Sequence, residues 1–328
     1  MSAGAAARPT VVVTRRLPGP VERQLADRFT ARLNADDHSF SAAELAAALG
    51  SADALVPTVG DRLTAAVLAA EPGRARILAN YGAGVDHIDL GAARARGLVV
   101  TNTPDVLTED TADAAMMLML MVARRAGEGE RQLRAGAWTG WGPTHLLGTR
   151  VHGKTLGLIG FGRIGRAVAQ RARHGFGMRI LFHDPVPPPP ALVAALGAEP
   201  QATIDDVLRA ADFVSLHSPA TPATHHLINA DRLALMRPTA FLINTARGDL
   251  VDEAALVAAL ERRAIAGAGL EVFEREPQVP SALLALDHVV LLPHLGSATE
   301  ETRVAMGWRV LENLTAFFGG QPPRDRVA

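Results

Sequence analysis

The chain is expected to be an α/β protein built on two doubly wound parallel sheets, and three observations carry that expectation. Short apolar runs with strand character alternate with helical patterns along the whole sequence, the arrangement that gives parallel sheets covered by helices. With 328 residues the chain is too long for one ordinary core, and at about 150 residues per domain two domains are expected. The run from Thr155 to Arg166, Thr-Leu-Gly-Leu-Ile-Gly-Phe-Gly-Arg-Ile-Gly-Arg, reads as an apolar strand, a glycine loop and the start of a helix.

The first domain is read from units of one kind. Thr10 to Thr14 forms a strand, and Pro18-Gly19-Pro20 turns into an amphipathic helix through Phe29. Helix Ala42–Leu49 leads to strand Ala54–Val56, helix Leu63–Ala70 to strand Arg76–Ala79, and helix Leu90–Ala95 to strand Leu98–Thr101. Directly after one strand comes Asn80-Tyr81-Gly82-Ala83-Gly84-Val85-Asp86. Small residues at the carboxyl end of a strand can turn their N–H groups onto a carboxylate; alone, the loop reads equally well as a plain turn.

Thr103-Pro104-Asp105 is the expected crossover into the second domain. The segment Thr108–Arg125 that follows is a long helix, apolar nearly all round through Met116–Met121, and such a helix must be covered on every side. Its methionines belong to a core or a subunit interface. The loop Trp138-Thr139-Gly140-Trp141-Gly142-Pro143 holds two of the 3 tryptophans, and large rings on a loop anchor an interface or line a pocket.

In the glycine run, Gly160 makes the tight turn and Gly162 lets backbone approach a pyrophosphate, while Gly165 lets the helix pack closely, its positive N-terminal end facing the phosphates. The next strand, Met178 to Phe182, ends on His183-Asp184, placing a carboxylate about 20 residues past the last glycine, where a ribose hydroxyl is held. The tract from Pro185 to Pro190 reads as a stiff connector. Strands Phe213–His217, Ala240–Asn244, Gly267–Val272 and Val289–Leu292 continue the sheet. The closing helix, Thr299–Phe318, has no strand after it and is expected to return to the first domain. The expected division is therefore a flavodoxin-like domain over 1–102 plus 297–328 and a Rossmann domain over 103–296.

Composition narrows the function. Hydrophobic residues make up 48% and aromatics 4%, so the cores are built from Ala, Leu, Val and Ile. A net charge of −1 argues against nucleic acid or an acidic membrane as partner. With Cys 0 there is no disulfide framework, thiol nucleophile or thiolate metal site, and no metal is expected. No apolar run of signal-peptide length precedes Thr14, and Ala114–Ala123 is far shorter than the ~20 residues of a membrane span. The expected location is the cytoplasm.

Three polar residues stand where strands of the second domain end: Arg247, Glu276 and His294. Singly, each has a bland reading: a surface cation, a solvated acid, one histidine of 11. Beside a bound dinucleotide they suit the reduction of a 2-oxo acid, which needs a hydride, a proton for the carbonyl oxygen and a cation for the carboxylate. Histidine titrates near neutrality, and Arg offers a planar fork that matches a carboxylate.

Through Gly160-Phe161-Gly162-Arg163-Ile164-Gly165, Asn244-Thr245-Ala246-Arg247-Gly248, Phe273-Glu274-Arg275-Glu276-Pro277 and Pro293-His294-Leu295-Gly296-Ser297-Ala298-Thr299, the chain resembles the D-isomer-specific 2-hydroxyacid dehydrogenases over nearly its whole length. The Trp138–Pro143 loop and Asp105-Val106-Leu107-Thr108 look most like the glyoxylate/hydroxypyruvate reductase branch. The resemblance implies that Arg247 binds substrate, that His294 is the acid/base with Glu276 as its partner, and that the Ala83-Gly84 backbone holds the substrate carboxylate in a cleft between the domains. Trp141 is expected at the substrate. The resemblance also places Thr108, Gly160, Gly162, Arg163, Ile164, Gly165, Asp184, Ser218, Pro219, Thr224, Thr245, Ala246, Arg247, Glu271, His294 and Gly296 around NAD. Asp184 favours NAD over NADP, and Pro185 stands where members using NADPH tend to carry Arg. Glu271 stands where the family has an Asp one methylene shorter. Relatives like phosphoglycerate dehydrogenase often carry a regulatory domain after the closing helix; only Gly319 to Ala328 follow here, so none is expected. A homodimer through the Met116–Met121 helix is expected, acting on a small 2-oxo or 2-hydroxy acid. A dehydrogenase of a bulkier 2-oxo acid and a dinucleotide-sensing binding protein remain as alternatives.

Overall fold

The computed structural model describes residues 7–70 and 73–328. The chain divides into two compact units: one runs to Leu107 and resumes at Ala298, and the other comprises Thr108–Ser297.

The first unit contains β1 (Thr10–Val13), α1 (Gly19–Arg28), β2 (Thr30–Arg32), α2 (Ala42–Ser51), β3 (Ala54–Val56), α3 (Ala65–Leu68), β4 (Ile77–Ala79), α4 (Leu90–Ala95), β5 (Val99–Thr101) and the closing helix Glu300–Phe318. Its strands form one parallel sheet in the order β2-β1-β3-β4-β5, the flavodoxin-like order. Successive residues of a strand face opposite sides. Val11 and Val13 of β1 accordingly join Val21 and Leu25 of α1 and Val310 and Leu314 of the closing helix. Val12 faces the other way, onto Leu45, Leu49, Leu55 and Leu78. Helix α2 starts on a capping box in which the Ser41 side chain takes the Glu44 N–H and Glu44 takes the Ser41 N–H, satisfying donors that a helix start leaves open.

The second unit contains α5 (Thr108–Ala123), α6 (Ala126–Arg134), β6 (Thr155–Ile159), α7 (Arg163–Phe176), β7 (Arg179–His183), α8 (Pro190–Ala195), β8 (Ala198–Pro200), α9 (Ile204–Ala210), β9 (Phe213–Leu216), α10 (Ala230–Leu235), β10 (Phe241–Asn244), α11 (Glu253–Glu261), β11 (Gly267–Leu270), α12 (Ser281–Leu284) and β12 (Val289–Leu291). The parallel order β12-β11-β10-β9-β6-β7-β8 is the Rossmann order extended by one strand. Chain direction across the sheet reverses between β6 and β9, the place where ligands of such sheets sit. One face is covered by α5 and α7 through Leu118, Met119, Val168 and Leu158. The other is covered by α9 to α11 through Val207, Leu233 and Leu256.

Several elements differ from expectation for physical reasons. The helix expected to run to Arg125 stops at Ala123, because the Thr149 N–H takes the Ala123 carbonyl at 2.7 Å and Arg125 adopts a left-handed φ of 54° before α6 begins. Nor is α5 covered on every side within the chain: Met117 is 40% exposed. The proline tract is not a connector throughout, since Pro190 opens α8, a position where its missing N–H costs nothing. Strands β2 and β8, which the apolar pattern does not mark, are short sheet edges. Among the described residues no helix is long and apolar enough to cross a membrane, and no group of His, Cys, Asp and Glu could hold a metal ion.

Candidate active site

Parallel pairing sets out the site. Strands β10, β11 and β12 are neighbours in register, and their backbone bonding continues past the strand ends: the Glu271 N–H reaches the Asn244 carbonyl at 3.2 Å and the His294 N–H reaches the Glu271 carbonyl at 2.9 Å. Arg247, Glu276 and His294, each just beyond one of these strands, thereby share one edge of the sheet.

His294 holds a left-handed φ of 52°, and its ring Nδ1 lies 2.9 Å from Glu276 Oε2. The other carboxylate oxygen, Oε1, accepts the Phe273 N–H at 3.0 Å, so Glu276 is fixed by its own loop as well as by the imidazole. Burial works against the Glu276 charge, but the hydrogen bond and charge of His294, the Phe273 N–H and the nearby Arg247 together hold its carboxyl below the usual range. The turn that carries Arg247 is organised by Asn244, whose Oδ1 accepts the Ala246 N–H at 3.0 Å and whose Nδ2 donates to the Arg247 carbonyl at 2.8 Å. Gly248 then lies flat against the next loop: a Cβ there would fall 1.9 Å from the Phe273 carbonyl carbon and 2.3 Å from the Glu274 nitrogen. Only glycine lets the Arg247 turn and the Glu276 loop pack backbone to backbone. The motif contained this residue, but its role is visible only in three dimensions.

At the β6–β9 reversal, Gly160 has φ +94°, and a Cβ on it would lie 2.7 Å from the His217 carbonyl. Gly165 packs as closely on the Gly160 carbonyl, at 2.4 Å for a Cβ, whereas Gly162 faces open space. A turn glycine, an open approach and a close-packed helix start are what a pyrophosphate on α7 requires, and Arg163 and Ile164 form the first turn of that helix. Asp184 at the end of β7 accepts the Phe161 N–H at 2.6 Å through Oδ2 and the Val186 N–H at 2.8 Å through Oδ1. The proline tract contributes one backbone donor here, the Val186 N–H, and spends it on Asp184. After β9, the Ser218 hydroxyl bonds the Ile159 carbonyl at 3.2 Å, and Thr224 Oγ1 caps the Pro219 carbonyl at 2.7 Å. Two buried side-chain oxygens, Thr245 Oγ1 and Glu271 Oε2, have no partner among the described residues. Orphaned polar atoms just past β10 and β11, strands of the sheet that also bears the open glycine loop, would suit a polar cofactor.

Ala83 and Gly84 belong to the first unit and follow β4. Thr108 opens α5. Trp141 stands 84% exposed, with no pocket built around it among the described residues of its own unit. Its neighbour Trp138, with Leu133, Leu146, Gly129, Gln132 and His145, lines a surface hollow of about 250 Å³.

Comparison with known proteins agrees with this architecture. Residues 116–296 match the D-isomer specific 2-hydroxyacid dehydrogenase NAD binding domain. A glyoxylate reductase of Thermococcus onnurineus is 45% identical over 324 residues, covering 98% of this chain and 96% of that one. A crystal structure from Thermus thermophilus superposes with a TM-score of 0.88 at 45% identity, covering 97% and 100% of the two chains. An NADPH-dependent glyoxylate/hydroxypyruvate reductase of Sinorhizobium meliloti, solved with NADP and malonate, gives a TM-score of 0.87 at 39% identity, with 98% and 97% covered.

Glu271 yields a testable consequence. It is 1% exposed, and burial pushes its carboxyl up; the Glu276 charge adds to this, while His294 and the N–H groups of Leu295 and Gly296 oppose it. A carboxyl raised in the folded state gives its full stabilisation below the unfolded value of about 4.3 and loses it as pH rises through the folded value. Glu271→Gln should therefore raise the melting temperature of the cofactor-free protein at pH 8, with the gain shrinking towards pH 5. Thermal melts across that range check it; a gain independent of pH would show that ionisation of Glu271 carries no cost.

Proposed function

The chain belongs to the D-isomer-specific 2-hydroxyacid dehydrogenase family, and on that premise we propose that it reduces a small 2-oxo acid, glyoxylate or hydroxypyruvate foremost, with NADH. The observation that carries the reading is the His294–Glu276 pair at 2.9 Å on the sheet edge that also bears Arg247. A bound nicotinamide supplies the hydride to the carbonyl carbon. His294 delivers the proton to the carbonyl oxygen from Nε2, since Nδ1 is engaged by Glu276. The Glu276 carboxylate stabilises the imidazolium before transfer and fixes the ring's orientation. Arg247 binds the substrate carboxylate, and the family resemblance assigns the Ala83-Gly84 backbone the same task. Run backwards, the same groups oxidise the 2-hydroxy acid, with His294 as base.

The cofactor assignment rests on Asp184. Its oxygens are fixed by the Phe161 and Val186 N–H groups, and each keeps a lone pair for the ribose hydroxyls. A 2′-phosphate would meet this charge at close range, with Pro185 where a cation could have answered it. The Sinorhizobium relative is NADPH-dependent, so cofactor preference varies within this fold.

Met117, Leu133, Trp138, Trp141 and Leu147 are exposed large apolar side chains on or after α5, and exposed apolar surface, where contiguous, marks interaction sites. We assign this surface to a second copy of the chain, to which Trp141 is presented as a lining of the substrate pocket, and we place the protein in the cytoplasm.

Three outcomes are expected. His294→Asn should keep NADH affinity and lose about 10²–10⁴ in kcat, the usual worth of acid/base catalysis; parallel loss of both would mark a structural histidine. Wild type should favour NADH by roughly 10² or more in kcat/KM, and Asp184→Ser with Pro185→Arg should erode that ratio; equal use of NADPH by wild type would refute the assignment. Sedimentation equilibrium at micromolar concentration should give twice the 34.5 kDa chain mass, whereas the monomer mass would leave the exposed surface to another partner.

A further inference from the structure

The loop after β4 is held from behind by two side-chain amides. Asn80 is fully buried, at 0% exposure. Its Nδ2 donates to the Gly82 carbonyl at 3.0 Å and to the Gly84 carbonyl at 2.9 Å, while Asn102 Nδ2 donates to the intervening Ala83 carbonyl at 2.8 Å. In a trans peptide the N–H points opposite to the carbonyl of the preceding residue. The amides of Ala83 and Val85 therefore turn away from Asn80, and that of Gly84 turns away from Asn102. Three successive N–H groups directed away from the amides behind them make an anion-binding concavity.

The Asn80 amide can do this in one orientation only. Turned over, it would set Oδ1 against two carbonyl oxygens. His87 fixes the choice, because its Nε2 lies 3.0 Å from Asn80 Oδ1 and with a proton there it gives that oxygen a donor. We propose that Asn80, oriented by His87, is the positioning residue that sets the Ala83, Gly84 and Val85 amides as a carboxylate cradle. This rests on the reading above that the substrate carboxylate lies on the Ala83-Gly84 backbone, and extends it to Val85 and to two side chains that touch no substrate.

The test separates the donor from the ring. His87→Phe keeps a ring of similar size but gives Asn80 nothing, whereas His87→Gln can still donate through its amide. The unreactive 2-oxo acid analogue oxamate, titrated into the preformed enzyme–NADH complex and followed by nicotinamide fluorescence, reads carboxylate binding without turnover. His87→Phe should weaken oxamate by about tenfold, equivalent to roughly 1.4 kcal/mol, and raise the KM for glyoxylate in parallel. Its kcat and NADH affinity should stay near wild type, and His87→Gln should recover most of the oxamate affinity. Asn80→Asp, which sets carboxylate oxygens against the Gly82 and Gly84 carbonyls, should weaken oxamate further, with retained NADH binding as the check on folding. In the wild-type protein, oxamate should shift the amide resonances of Ala83, Gly84 and Val85, a measurement that needs no variant. Oxamate affinity unchanged in His87→Phe, or equally poor in His87→Gln, overturns the positioning role while leaving the 2-oxo acid reading intact if the cradle amides still shift. Oxamate bound with no shift of these amides overturns the cradle. Failure of wild type to bind oxamate overturns the proposal together with the reading beneath it.

Discussion

The chemistry of the second unit depends on a hydrogen-bond ladder that does not stop where its strands stop. Leu292 N–H to the Leu270 carbonyl at 2.9 Å, Glu271 N–H to the Asn244 carbonyl at 3.2 Å and His294 N–H to the Glu271 carbonyl at 2.9 Å carry the pairing of β10, β11 and β12 one step beyond their regular ends. Parallel strands in register end at one edge of the sheet, so residues far apart in sequence share that edge. The ladder also explains how His294 holds a left-handed φ of 52°, uncommon for a residue with a side chain: its N–H is tied to Glu271 and its ring to Glu276, and the two together over-determine the conformation.

Two carboxyls near this imidazole are shifted in opposite directions. Both are disfavoured as ions by burial, but Glu276 has a direct hydrogen bond to His294, a backbone N–H and the Arg247 charge, and its carboxyl falls below the usual range. Glu271 is more completely enclosed, keeps one oxygen without a partner among the described residues and is pushed up. Environments that drive like groups apart are how one site gives them separate roles. Glu276 is the partner kept ionised beside the imidazole. Glu271 is a carboxyl whose protonation a polar group arriving at Oε2 would shift.

The strands that build the site were legible because they are buried on both faces and read as unbroken apolar runs; β6, β10 and β11 each end on the residues whose chemistry drew notice. Edges were not legible. Thr30–Arg32 is half-exposed and polar, and Ala198–Pro200 includes a proline that only an edge strand tolerates. The end of α5 was hidden for another reason: Ala123 is followed by ordinary helix formers, and the helix stops because a distant segment, Gly148-Thr149, claims its last carbonyl. The motif residues Arg247, Glu276 and His294 could be named from sequence, but the contacts that fix them could not. Gly248 against the Phe273–Glu274 peptide and Asn244 inside its own turn are relations between backbones, which residue type alone does not display.

Both units use the same device at their strand ends. Asn80 after β4 and Asn244 at the end of β10 are 0% and 1% exposed, and each spends its amide on the loop that follows: Asn80 on the Gly82 and Gly84 carbonyls, Asn244 on the Ala246 N–H and the Arg247 carbonyl. A buried amide without partners would cost several kcal/mol, on the order of 2–7, so the side chain is tolerated only where the loop adopts the shape that satisfies it. The dependence runs both ways. A loop that moved would strand the amide, and the amide therefore selects one loop conformation among the many a glycine-rich segment could adopt. Asparagine suits this task better than aspartate or glutamine. It offers a donor and an acceptor on a stem too short to reach elsewhere, and it holds backbone in place without adding a charge beside the groups that must carry one.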